Sequence, residues 1–353
     1  QMVGLGNMWR SVAIAPSEGV NALFSLVVPM AVIIVGIQLR RKDVRRLLLV
    51  IIAIGALSGI ISVMQIISNS DSALYFYKIT NNGSAVGFFA NRNHAAAFLA
   101  CLFPILAVYA SSAGGAAEYQ NRRQYVAIAL AIILVPLLLV IGSRSGLLLS
   151  LLGLAGATLI YRNSDRQQNA KKDGRKTVVR SLLAGAAVLS LAFVTYFLSR
   201  AEAIERLFYE AQDTDLRQDF WVTSVMYLKE FFPWGAGPGA FANAYQAGEP
   251  LASLDSTYLN HAHNDWIETI VTMGGFGVLI FAVAIFFYVR RTWTIWRRAD
   301  SSSQSTIFAR MASITVLLIA LSSVTDYPLR TPTMMALFAL FLIWFTEPVK
   351  RRV

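Results

Sequence analysis

Nine stretches of this chain run for close to twenty residues with scarcely a charge: 20–39, 46–67, 94–111, 124–142, 145–161, 178–199, 266–289, 306–325 and 331–346. A helix rises about 1.5 Å per residue, so crossing about 30 Å of hydrocarbon takes roughly 20 residues. The expected fold is therefore all-α: a polytopic integral membrane protein, one transmembrane domain over 1–353 with about nine helices. The runs 145–161 and 331–346 are the shortest. Charged residues make up 14% of the chain, against nearer a quarter in a soluble domain. Small residues recur inside the runs, as in "GLAGATL" and "GAAVLS", and let helix backbones approach closely in lipid. No internal repeat is visible. The single cysteine, Cys101, lies in an apolar run, so neither a disulfide framework nor a cysteine metal site is expected.

The formal charge of +11 invites a nucleic-acid reading, which its distribution excludes. The loops fall into two sets that alternate at every span. One holds 40–46, 118–123, 161–180, 290–300, Arg310 and the C-terminal tail. It carries 22 of the 31 basic and six of the 20 acidic residues. The other holds 1–19, 68–93, 142–145, 200–265, Glu268 and 325–330, with the remaining nine basic and 14 acidic residues. Basic loops stay in the cytoplasm. The expected topology places the N-terminal end outside and the C-terminus inside, and the partner implied by the basic excess is the bilayer.

The longest outer segment, 200–265, reads as two short amphipathic helices. Thr214 can cap the second, and Pro233 with Gly235, Gly237 and Gly239 ends it. Its aromatics, Phe220, Trp221, Tyr227, Phe231, Phe232 and Trp234, suit an element lying at the lipid interface.

The spans hold almost no ionisable residue at mid-depth, which argues against a proton-coupled transporter. The polar clusters gather at one level, the outer mouth: "FFANRNH" (88–94), "GSRSG" (142–146), "TDLRQDFW" (214–221), "HAHND" (261–265) and "TDYPLR" (325–330). Four arginines reach that level. Arg144 either snorkels to lipid phosphate or offers a fixed guanidinium to a phosphorylated ligand. Arg217 either pairs with a neighbouring aspartate or does the same. Arg330 can pair with Asp326, and Arg92 stands between Asn91 and Asn93. The glycines of "PWGAGPGAF" form either a plain turn or a phosphate cradle.

"HAHND" has three readings. Asn264 or Asp265 caps the following span. His261, His263 and Asp265 have the donor types of a zinc site, without a distant third ligand. Or a histidine is a general base that takes a proton from an attacking hydroxyl. Arginines for a diphosphate leaving group and one base suffice for glycosyl transfer from a lipid diphosphate donor. A donor already carried across the bilayer is the kind available at an outer site.

The ordered set N-R-N-H, G-S-R-S-G, R-x-x-x-W, P-x-G-x-G-x-G-x-F, H-x-H-N-D and G-G-F-G resembles the O-antigen ligase/polymerase family of bacterial envelope glycosyltransferases, over about residues 85 to 345. The resemblance implies a GT-C-like helical bundle in the inner membrane with a periplasmic helical loop. It implies an undecaprenyl-diphosphate-linked glycan donor and no metal or cofactor. The acceptor is lipid A–core for a ligase, or a second lipid-linked glycan for an O-antigen or exopolysaccharide polymerase; ligase-like is the first expectation. The family's essential arginines fall on Arg144 and Arg217, and its histidine on His263, with His261 a second candidate for the base. Arg92, Arg330, Asn93 and Asn264 complete the expected diphosphate and substrate contacts. Family members usually have about twelve spans, and this sequence opens on Gln1, so earlier helices are expected to be missing from it.

Overall fold

The computed structural model describes residues 13–111, 117–168, 221, 223–247, 249, 259–298 and 303–349. They form α1 (Pro16–Ser25), α2 (Val27–Gly36), α3 (Arg41–Ile67), α4 (Arg92–Ser111), α5 (Ala117–Ile141), α6 (Arg144–Gln168), α7 (Phe241–Ala247), α8 (Asp265–Trp293), α9 (Gln304–Thr325) and α10 (Pro332–Thr346). Residues 223–231 are also helical, and among the described residues there is no strand. Among the described residues, seven helical stretches are long and apolar enough to cross a membrane. They correspond to seven of the predicted runs; the run 331–346 becomes the shorter α10, and 178–199 lies outside the described residues.

The helix α4 forms the centre, with 94% of its span buried, whereas α8 is 22% buried and presents apolar side chains outward. The cause is side-chain size. Ala95, Ala96, Ala97 and Ala100 let neighbours close in. A Cβ at Gly153 of α6 would stand 2.7 Å from the Ala100 carbonyl oxygen, and one at Gly146 would collide with Ala96. The glycines of α6 thus seat it directly on α4. Gly156 faces Ile314 of α9 on another side of α6. At the far end of the bundle, the Arg291 guanidinium donates to the Phe345 carbonyl at 2.8 Å and ties α8 to the end of α10.

Two irregular segments shape the end of the bundle where α4, α6 and α8 begin. The loop before α4 is held by Gln65, whose Oε1 accepts from the Val86 and Gly87 amides at 2.9 and 2.8 Å. The second is a break in α8 at Gly274, with φ 57° and ψ −135°. The broken turn frees carbonyls that the glycine-rich loop 232–240 uses. Ala236 N–H donates to Val271 O at 3.0 Å, Gly237 N–H to Thr272 O at 2.9 Å, and Gly275 N–H to Pro233 O at 2.8 Å. Residues 13–19 cover the loop's other side, where Ile14 N–H donates to Ala236 O at 2.9 Å and Gly237 packs on Ala13.

Candidate active site

The polar clusters read from the sequence meet at that same end. The first residues of α4 and α6 are joined by Ser143, whose hydroxyl donates to Asn93 Oδ1 at 2.7 Å. The same Ser143 oxygen accepts the Gly146 amide at 3.0 Å, so one hydroxyl caps α6 and links it to α4. Gly142, at φ 66°, makes the short turn that brings α5 round into α6. From the opposite direction, the end of α9 delivers Asp326, whose side chain has no exposure. Asn93 Nδ2 donates to Asp326 Oδ2 at 2.6 Å and Asn91 Nδ2 at 3.1 Å. The Tyr327 amide donates to Oδ1 at 2.9 Å.

All three histidines of the chain lie here. His263 Nδ1 stands 3.4 Å and His94 Nε2 3.7 Å from Asp326 Oδ1. The Tyr327 ring fills the space between the imidazoles, with centroid distances of 5.3 Å to His94, 4.6 Å to His261 and 5.0 Å to His263. Burial pushes the Asp326 carboxyl upward, but His263 and His94 outweigh it and hold the group well below the usual carboxylate value. Asp326 is therefore an anion placed against two imidazoles.

His263 has φ 48°, the one positive value outside glycine among the described residues. Histidine is among the side chains enriched in that region. The backbone turns there so that Asn264 can cap α8, its Oδ1 accepting from the Trp266 and Ile267 amides at 3.0 Å each. The capping reading of this motif therefore holds for Asn264.

A second buried group sits behind the turn. His261 Nδ1 faces Glu268 Oε1 at 3.1 Å, and Ala262 N–H donates to Glu268 Oε2 at 3.0 Å. Arg330 reaches Asp265 Oδ1 through Nε at 3.2 Å and Glu268 Oε1 through Nη1 at 3.3 Å. The expected pairing of Arg330 with Asp326 is thus corrected. The short 3-10 turn Pro328–Arg330 carries the guanidinium to the first turn of α8, where two carboxylates outcompete one. His261, His263 and Asp265 address three different partners, and among the described residues no three His, Cys, Asp or Glu side chains gather as a metal would require.

The remaining predicted site residues are distributed as follows. Arg92 and Arg144 open α4 and α6 at this end, Arg144 exposed and Arg92 half-buried. Asn93 is spent between Asp326 and Ser143. Arg217 lies outside the described residues, as does the Thr214 cap. The amides of residues 235–237 are committed to carbonyls, so this part of "PWGAGPGAF" is a docked turn. Asp326, His94, Tyr327 and Glu268 were absent from the predicted site. The signal that could have found them is the scarcity of histidine: three imidazoles in the whole chain, each in a polar cluster at the mouth of a span.

These features define a polytopic helical membrane protein with a histidine-rich site where its spans begin. Residues 127–282 match the family model described as O-antigen ligase, and over that segment the chain is similar to the O-antigen ligase family. The family supports an enzyme of the glycosyltransferase kind, with ligase-like or polymerase function on lipid-linked glycan. No curated protein matches the chain. The matched segment holds Arg144, Arg217, His261 and His263, whereas Asn91, Asn93, His94, Asp326 and Tyr327 lie outside it and complete the cluster from flanking helices.

Proposed function

We propose that the protein transfers a glycan from an undecaprenyl-diphosphate carrier to a sugar hydroxyl at the periplasmic face of the bacterial inner membrane, with its C-terminus cytoplasmic and with lipid A–core as the acceptor. The observation that carries this reading is His263 facing the buried Asp326 carboxylate at the end where α4, α6 and α8 all begin. Helix N-termini favour anions, and α4 and α6 each open on an arginine, which suits a diphosphate. His263 takes the proton from the acceptor hydroxyl as its oxygen bonds to the anomeric carbon. The bond from that carbon to the diphosphate breaks, and the departing diphosphate keeps the electron pair. Asp326 stabilises the imidazolium that results, as a carboxylate behind a histidine does in general. Arg144 and Arg217 meet the leaving diphosphate, with Arg92 beside them at the mouth of α4. In this reading Asn93 and Asn264 act by holding Asp326 and the histidine turn rather than by touching substrate. No metal or cofactor enters the scheme.

The test is a reaction in liposomes containing the purified full chain, lipid-linked oligosaccharide and, in separate arms, lipid A–core or a second lipid-linked oligosaccharide. Product in the first arm supports the ligase reading; product in the second arm alone makes the protein a polymerase that uses the same donor. His263→Ala, Arg144→Ala and Arg217→Ala should each lose about 100- to 1,000-fold in rate while still inserting, the scale of one lost contact to developing charge. Arg→Lys at 144 or 217 should also impair, because a point charge does not replace the guanidinium fork. Unchanged rates in all three alanine variants, or lipid flipping with no new glycosidic bond, would sink the proposal.

A further inference from the structure

One carboxylate inside the α8 turn has no part in that scheme. Glu268 is 2% exposed, so it does not reach a substrate held at the surface. Its two oxygens are fully occupied. Oε2 accepts the Ala262 amide, the residue immediately before His263, at 3.0 Å. Oε1 lies 3.1 Å from His261 Nδ1 and 3.3 Å from Arg330 Nη1. Arg330 in turn reaches Asp265 at 3.2 Å, and the second Asp265 oxygen accepts the Leu329 amide at 3.1 Å. The backbone continues the link, since the Asp265 amide faces the Asp326 carbonyl at 3.4 Å. From the first turn of α8, Glu268 thus holds the two residues that lead into the left-handed turn at His263, and through Arg330 it fastens that turn to the segment that carries Asp326.

We infer that Glu268 is the positioning residue of the site: it sets the backbone turn that aims His263 at Asp326, and Arg330 serves as its counter-charge rather than as a contact to the donor. This rests on His263 being the base. A carboxylate that acts by aiming a base should change turnover and leave donor affinity alone, because the groups that meet the diphosphate are elsewhere. Two unlike changes reach the same contact. Glu268→Gln keeps the volume but turns one acceptor oxygen into a donor, which in either orientation of the amide meets another donor, the Arg330 guanidinium or the Ala262 N–H. Glu268→Asp keeps the charge for Arg330 but is one methylene too short to hold Ala262 and His261 together.

The experiment measures kcat and donor KM in liposomes holding the full-length chain, with His263→Ala run in parallel. Both Glu268 variants should lower kcat at least tenfold and leave KM for the lipid-linked donor within about twofold. Three results overturn the inference: both variants with normal kcat; a raised KM with kcat intact, which would put Glu268 in donor binding; or failure of both to yield folded protein, which would make it a folding residue. Full activity in His263→Ala would instead overturn the base assignment, and that outcome is distinct from a dead His263→Ala beside fully active Glu268 variants.

Discussion

Removing a carboxylate from water costs several kcal/mol unless hydrogen bonds or charge replace the solvent. At Asp326 two asparagine amides, a backbone amide and two imidazoles do so, which is why a buried anion can stand where four helix ends meet. Asp326→Asn keeps the shape and one acceptor but removes the charge behind His263, and the rate of glycan transfer should drop about 100-fold, roughly 2.7 kcal/mol at 1.36 per decade. The pH dependence follows from the sign of the shift. The folded carboxyl lies well below its ordinary value of 3.8, so the stability it contributes is present above that value and is lost as pH falls through the depressed one. Its own ionisation therefore adds no slope between pH 5 and 8. Thermal unfolding of detergent-solubilised protein should show an acid-side loss below about pH 4 that is smaller in Asp326→Asn than in the parent chain. A difference that grew between pH 6 and 8 would contradict the assignment. The sequence shows Asp326 in a polar cluster, but not that Asn91 and Asn93, over 230 positions away, would claim it ahead of Arg330.

Among the elements, α8 and the loop 232–240 illustrate what local pattern does and does not encode. Both glycine clusters, "PWGAGPGAF" and "GGFG", are legible as breaks, because glycine accepts positive φ and tolerates close backbone approach. Their mutual docking is not legible, since it depends on carbonyls that exist as free acceptors only once α8 is broken at Gly274. The same limit applies to the seam of α4 and α6: small residues announce close packing, but not which helix supplies the partner. At Gly274 an added Cβ would both hold a left-handed conformation and collide with the Pro233 carbonyl. Gly274→Ala should therefore destabilise the protein by about 1–3 kcal/mol and lower the unfolding temperature measured by intrinsic tryptophan fluorescence. Gly275→Ala is the control, because its Cβ would meet its nearest neighbour, the same carbonyl oxygen, at an ordinary 3.5 Å. Equal stability of the two variants would mean that the docked loop does not hold the break.

For the whole molecule the question is which end faces the cytoplasm, because the available donor differs on the two sides. Helix count, alternation and the basic excess of one set of loops are all open to sequence reasoning, since each rests on the cost of moving charge across lipid. The same physics places the histidine end opposite the basic end: α4 and α8 begin at the site and run toward the end where α5 starts with Arg122 and Arg123 in its first turns and where Arg290 and Arg297 lie at and just beyond the end of α8. The chain supplies a convenient background for a direct measurement. Its one cysteine, Cys101, is buried in α4 among alanines, so Cys101→Ala removes the only native thiol at small cost in packing. Into that background go Ser70→Cys in the loop before α4, Asn260→Cys beside the histidine turn and Asn121→Cys at the opposite end, all three exposed positions. A membrane-impermeant maleimide applied to intact spheroplasts should label the first two and spare the third, which should react only after the membrane is opened. The reverse pattern would put His263 in the cytosol, where nucleotide-linked donors are found, and the diphosphate-lipid chemistry would lose its reason for lying at this end of the bundle.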